Sequence, residues 1–321
     1  MIRYVVCALL VALLIAVPAA LGAKYAGEPF SLGVGGRPLA LGGATVAGPF
    51  DATAGYWNPA GLNGLSGRQV MAMHSETFGS LLNHDFVAYV DSRRDSSGLI
   101  GAFGCYLYYL GGDGIYITDR DNSGRTVIVG EESHADVMFG AAVSGQLMDK
   151  LEYGLTARLI YRDLAGESGK GLSFDGGLLY HARTWATLGL MVNDITTGFV
   201  RYSGETFGRG AYTESIYPTA RPGLLLERCH NDFVGRFAFS GEIRFEDRKY
   251  SDQYWTGAVS ADTHFGWEVE YRKLVSGRFG FNGGKFTAGL GVSAGRAVFD
   301  FAFQNNPDFD ETYRVSAGYA W

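Results

Sequence analysis

The residues able to do chemistry in this 321-residue chain form a file of charges of both signs. Glu152, Arg158 and Arg162 recur along one stretch, Asp175 follows, then Arg236, Glu242, Arg244 and Glu246, then Glu268, Glu270 and Arg272, and finally Asp300. Within each group the spacing is an even number of residues, two, four or six, and the charges alternate with apolar side chains. Such a file could line a water-filled solute path. A selective pore is ordinarily lined by one dominant sign, so the mixture reads better as cross-strand ion pairs that hold neighbouring elements together.

Other chemistries lack their residues. The six histidines are scattered, none at metal-ligand spacing, and His74 and His84 are expected as solvated residues flanking a first outer loop. Ser, His and acidic residues are present without any local arrangement that selects a catalytic set, so no enzyme is expected. "GVGGRP", residues 33–38, has Pro38 where a dinucleotide loop needs its third glycine, and no strand precedes it. No cofactor and no metal are expected. The formal charge of -6, without a basic stripe, argues against a nucleic-acid partner. Cys105 and Cys229 are expected to be free, and three cysteines in all cannot staple a scaffold.

The elements that position these charges are strands. In "LEYGLTARLIYR" the residues Leu151, Tyr153, Leu155, Ala157, Leu159 and Tyr161 share one face, and Glu152, Thr156, Arg158 and Arg162 the other. "GRFAFSGEIRFE", "WEVEY" and "VFDFAF" repeat that period of two. Aromatic residues near the strand ends match the girdles of membrane-spanning barrels, whose outward band meets lipid, and the lumen lining is expected to be polar. Fourteen strands fit best, with twelve or sixteen as alternatives. Short turns at one end oppose long connections at about 111–133, 195–217 and 248–264, and 254–263 is read as an outer loop with a hairpin extension.

The chain divides at residues 23 and 66. Residues 1–23 carry Arg3, a short apolar core and small residues before the expected cleavage point, which is a secretory signal peptide. Residues 67–321 form the barrel. Residues 24–66 are glycine-rich and do not alternate, yet they hold dense apolar residues including Tyr56 and Trp57. A lumen of fourteen strands is too wide for side chains alone to fill, so this segment is expected to plug it; the alternative, a flexible periplasmic leader, fits its dense apolar residues less well. Pro222 and Gly223 in "TARPGLLLE" mark a candidate gap in the wall, because proline removes a ladder bond, although the residues read more simply as a proline that starts a strand after a long loop. The last strand, with Tyr313, Tyr319 and the terminal Trp321 on one face, resembles the signal read by the outer-membrane assembly machinery.

The stretch "GVGGRPLALGGATVAGPFDATAGYWNPAGL" resembles the amino-terminal signature of the PorV/PorQ family within the wider FadL-like barrel group. The matching residues include Gly35, Arg37, Gly42, Gly43, Asp51, Trp57, Asn58, Pro59 and Gly61. "WEVEYRKLVSGRFGFNGGKFTAGLGVSAGRAVFDFAF" is similar, more loosely, to that family's last hairpins. The resemblance implies a bacterial outer-membrane protein whose first segment folds into the lumen as a hatch, with Tyr56 and Trp57 packed inside and Asn58-Pro59 turning the chain toward the first strand. It further implies a role in type IX secretion, binding secreted cargo and handing it to an attachment complex. The alternatives are a FadL-like passive transporter of hydrophobic small molecules and a purely structural barrel in outer-membrane lipid.

Overall fold

The computed structural model describes residues 26–77, 81–93, 100–204, 210–307 and 310–321. The expected signal peptide, 1–23, lies outside the described residues. Seventeen strands form one sheet. They are β1 (Gly67–Thr77), β2 (Leu82–Ser92), β3 (Ala102–Arg120), β4 (Thr126–Met148), β5 (Leu151–Leu164), β6 (Glu167–Arg183), β7 (Ala186–Asn193), β8 (Gly198–Tyr202), β9 (Tyr212–Ile216), β10 (Thr219–His230), β11 (Phe233–Arg244), β12 (Tyr254–Trp255), β13 (Ser260–Tyr271), β14 (Val275–Asn282), β15 (Lys285–Ala294), β16 (Ala297–Gln304) and β17 (Thr312–Ala320).

Fourteen of these close a ring. β7 pairs with β10, β11 pairs with β13, and β17 returns to β1 with Met71 opposite Gly318, so every neighbour is antiparallel and no edge is left. Closure satisfies the backbone of every wall strand through its neighbours, the condition for placing a sheet in hydrocarbon. No helix among the described residues is long and apolar enough to cross a membrane.

The remaining three strands decorate the end with the long connections. β8 and β9 form a hairpin that pairs with the upper part of β6, and β12 pairs with the start of β13. Two expected loops are thereby corrected. Residues 111–133 are mostly strand: β3 and β4 continue past the ring as a ribbon with two register shifts. The alternating "IYIT" and "TVIV" runs suit strands, and the turn between them is set by Asp121, whose Oδ1 accepts from the Ser123 and Arg125 amides, with Gly124 at φ 76°. Residues 195–217 likewise carry the β8–β9 hairpin.

Outward positions such as Val87, Leu107, Leu159, Leu188, Val269, Leu290 and Val315 are exposed, and exposed aromatics flank them: Trp185, Phe233, Tyr271, Tyr319 and Trp321 at the turn end, Tyr161, Phe281 and Tyr313 at the other. The inward face is divided. From β1 to β4 it carries Met71, Met73, Phe86, Ala88, Val90, Tyr106, Tyr108 and Met138, all buried and in one cluster. From β5 onward it is dominated by charge. The expectation of a uniformly polar lining therefore fails over the first four strands.

Candidate functional site: the amino-terminal segment against the wall

Residues 26–66 lie among the inward side chains and touch almost every sector of the wall. Gly36 begins a helical turn, Gly36–Ala40, and its amide donates to Ser316 Oγ on β17 at 3.1 Å. Arg37, the next residue, reaches the opposite character of wall: Nε and Nη2 bond Glu268 Oε2 and Oε1 of β13 at 2.9 and 2.6 Å. The same carboxylate also receives Arg236 Nη1 of β11 at 2.5 Å and Arg278 Nε of β14 at 2.5 Å. Three guanidiniums thus converge on one buried anion. Arg236 bonds Glu227 and Glu270, and Arg278 bonds Asp300, which extends the network over β10 to β16. Burial alone would lower the pKa of Arg37, but the Glu268 carboxylate outweighs it and holds the guanidinium above its ordinary value.

Further along, the segment approaches the wall backbone to backbone. A Cβ on Gly42 would sit 2.4 Å from Phe281 O, while one on Gly266 would sit 2.5 Å from Leu41 O. His264 Nδ1 donates to Gly42 O at 3.0 Å. Gly43 adopts φ 78° beside Trp57. The wall glycines that permit this approach come in cross-strand pairs: Gly154 with Gly177, Gly189 with Gly223, and Gly266 with Gly280. Each pair is a flat spot against which residues 41–60 lie.

Asp51 orders the next turn, with its Oδ1 accepting from the Thr53 amide at 2.8 Å and hydroxyl at 2.6 Å. The turn Ala54–Trp57 that follows presents Tyr56 and Trp57. Tyr56 donates to Phe30 O at 2.7 Å and accepts from the Gly33 amide at 3.2 Å; burial raises its pKa. Trp57 Nε1 donates to Val34 O at 2.9 Å. The Tyr56 ring meets Phe86, Tyr106 and Tyr108, so this side of the segment faces the apolar sector, while Trp57 packs edge-on against Tyr56. Asn58 is extended at φ -163°, donates to Val46 O and Leu178 O, and accepts from the Ala60 amide. Pro59 then opens the short turn Pro59–Gly64, and Gly61 leaves room for the Phe50 ring at 2.6 Å from an added Cβ.

Of the charges read from the sequence, Glu152 accepts from Asn63, and Arg162 bonds Asp136 and Ala26 O. Arg158 holds Asp175 and Asp194, while Arg244 holds Glu242, Asp252 and Asp262. All of these face inward. Arg272 does not: it leaves the strand in a left-handed turn at φ 50° and pairs, exposed, with Asp232 across the rim. His84 is a second correction. It is fully buried on β2, its ring 4.4 Å from that of Tyr108, because β2 starts at Leu82 and carries His84 inward with Phe86. At Pro222 the β10–β11 ladder skips two residues and resumes at Gly223 opposite Ser240, while pairing with β7 is unbroken. The Pro222 ring packs over Gly241, and Gly223 abuts Val46.

Arg278, Arg221 and Arg314 belong to the inward set and were not read from the sequence. Each alternates with outward or apolar neighbours in "GRFGFN", "TARPG" and "TYRVS", so the same period of two carries their signal.

Above the segment, toward the long connections, cavities of about 60, 90 and 210 Å³ follow one another, with Ser31 lining all three. A fourth, about 280 Å³, lies near the turn end between Phe50, Leu225 and Arg236.

No family model and no curated protein matches the sequence. Solved structures do share the fold. The chain is similar to the Ralstonia pickettii toluene transporter TbuX, at 14% identity over 91% of this chain and 100% of that one, with a TM-score of 0.59. CymD, a monoaromatic hydrocarbon channel, aligns at 12% identity over 90% and 98% with a TM-score of 0.59. A Pseudomonas aeruginosa FadL homologue aligns at 12% over 95% and 100% with a TM-score of 0.53. At these identities the likeness is one of fold: a closed, fourteen-stranded antiparallel barrel. None of these matches bears on the PorV/PorQ resemblance.

Proposed function

We propose that this protein passes hydrophobic small molecules across an outer membrane, with residues 24–66 as a movable hatch. One observation carries the reading. The segment has an aromatic side, with the Tyr56 ring laid against an apolar sector of the wall, and a charged side, Arg37, fastened to Glu268. Movement of the segment would open a greasy surface along β1–β4 that a hydrocarbon could follow. The fold shared with toluene and monoaromatic hydrocarbon transporters supports the same reading. A role in type IX secretion rests on the amino-terminal resemblance alone.

A disulfide tests the hatch. A Cβ on Gly36 would lie 3.0 Å from Ser316 Oγ, so Gly36→Cys with Ser316→Cys should cross-link the segment to β17. Uptake of labelled toluene by cells producing the protein is expected to stop on oxidation and return on reduction. Uptake that continues through the locked barrel, or that never depended on this chain, overturns the reading. Co-purification of secreted proteins that is lost on trimming residues 198–216 would move the function to cargo handling.

A further inference from the structure

The 210 Å³ cavity at the long-connection end contains an imbalance that the reading above does not use. Arg314 on β17 lines it and is 2% exposed. Every other buried arginine of the barrel wall meets a carboxylate within 4 Å among the described residues; Arg314 meets none. Among the described residues its Nη2 has only long contacts, 3.5 Å to Leu32 O and 3.5 Å to His84 Nδ1, and its Nε and Nη1 have no partner. A buried guanidinium so placed is costly unless an anion meets it.

The rest of the cavity narrows the class of anion. Lys285, half-buried, adds a second cation at the lining and has no acidic partner among the described residues. The one carboxylate in the lining, Asp262, is already engaged by Arg244 Nη1 and the Gln253 amide, each at 2.9 Å. Asn306, 3% exposed, carries an Oδ1 with no donor among the described residues. Thr77, Asn282, Gln304 and Thr312 complete a wall of hydroxyls and amides, with Leu32 and Leu39 as its apolar part. The volume far exceeds the ~10–15 Å³ that a single water needs.

We propose that this cavity is a binding site for a small hydroxylated organic carboxylate. The carboxylate meets Arg314 and Lys285, and a hydroxyl donates to Asn306 Oδ1. The lining offers hydrogen-bonding groups where a long apolar tail would need hydrocarbon, so the site is distinct in chemistry from the greasy path proposed above and does not depend on it.

Titration calorimetry on the purified full-length barrel in micelles tests the assignment with four probes: gluconate, glucose, octanoate and inorganic phosphate. Gluconate is expected to bind saturably, with glucose weaker by about tenfold or more for want of the charge. Arg314→Met should weaken gluconate by about tenfold and Lys285→Gln by about threefold. Loss of heat-dependent gel mobility would show that Arg314→Met fails to fold, in which case Asn306→Ala and Lys285→Gln decide, each expected to weaken gluconate. Absence of saturable gluconate binding, indifference to these substitutions, or phosphate or octanoate binding as tightly as gluconate would overturn the proposal.

Discussion

Strands β1–β4 and strands β5–β16 carry the same inward parity and face the same segment, yet they hold it by different physics. In the first sector Phe86, Tyr106 and Tyr108 meet the ring of Tyr56. Such contacts are non-directional, and a sideways shift loses little as long as apolar area stays covered. In the second sector Arg37, Arg236 and Arg278 converge on Glu268 with donor distances of 2.5 to 2.9 Å. A shift of an ångström there breaks several charge-assisted bonds at once. The comparison teaches that the segment is latched by ion pairs on its charged side and mainly packed on its aromatic side, where the bonds are neutral ones from Tyr108 Oη to Pro29 O and from the Gly35 amide to Met73 Sδ.

The largest expected effect comes from cutting the latch at its centre. Glu268→Gln leaves three guanidiniums around a neutral amide and should destabilise the barrel by about 3–5 kcal/mol, read from urea unfolding in micelles. Phe86→Leu in the apolar sector should cost under about 1.5 kcal/mol. If the two losses are equal, the contrast between sectors fails.

Next in size is a backbone contact of the segment with β5. In Gly154→Ala the new Cβ would lie 2.2 Å from the Pro59 carbonyl carbon. Because that neighbour is backbone, the segment must move, and the same unfolding measurement should show a loss of about 1–3 kcal/mol. Tolerance of alanine there would mean that residues 59–60 are not pressed against the wall in solution.

The smallest effect sharpens the comparison from outside it. Arg272 pairs with Asp232 on the rim, with side-chain exposures of 57% and 51%. Arg272→Ala should change stability by no more than about 0.5 kcal/mol. A loss as large as that of Glu268→Gln would put rim charges and lumen charges in one class, against the burial seen here.

Much of this was legible from residue order. Period-two alternation, visible in "LEYGLTARLIYR" or "VFDFAF", is a property of each strand by itself, because successive side chains point to opposite faces whatever the neighbours are. It placed Arg158, Arg236, Glu268 and Asp300 inward, and the connection lengths led to fourteen wall strands. His84 was misjudged because strand ends are soft: β2 begins two residues before it, and the same alternation then puts it inside. The 111–133 ribbon was misjudged because a hairpin beyond the ring keeps strand composition without lipid to cover it.

What tertiary structure alone decided are the pairings across the ring and with the segment. Gly154 opposite Gly177, Glu268 among three arginines, and Arg314 with no carboxylate among the described residues depend on which residues 10 to 280 positions apart come to lie side by side. Local chain geometry fixes the direction of a side chain. Only closure of the barrel, with its register and its filled interior, fixes what that side chain meets.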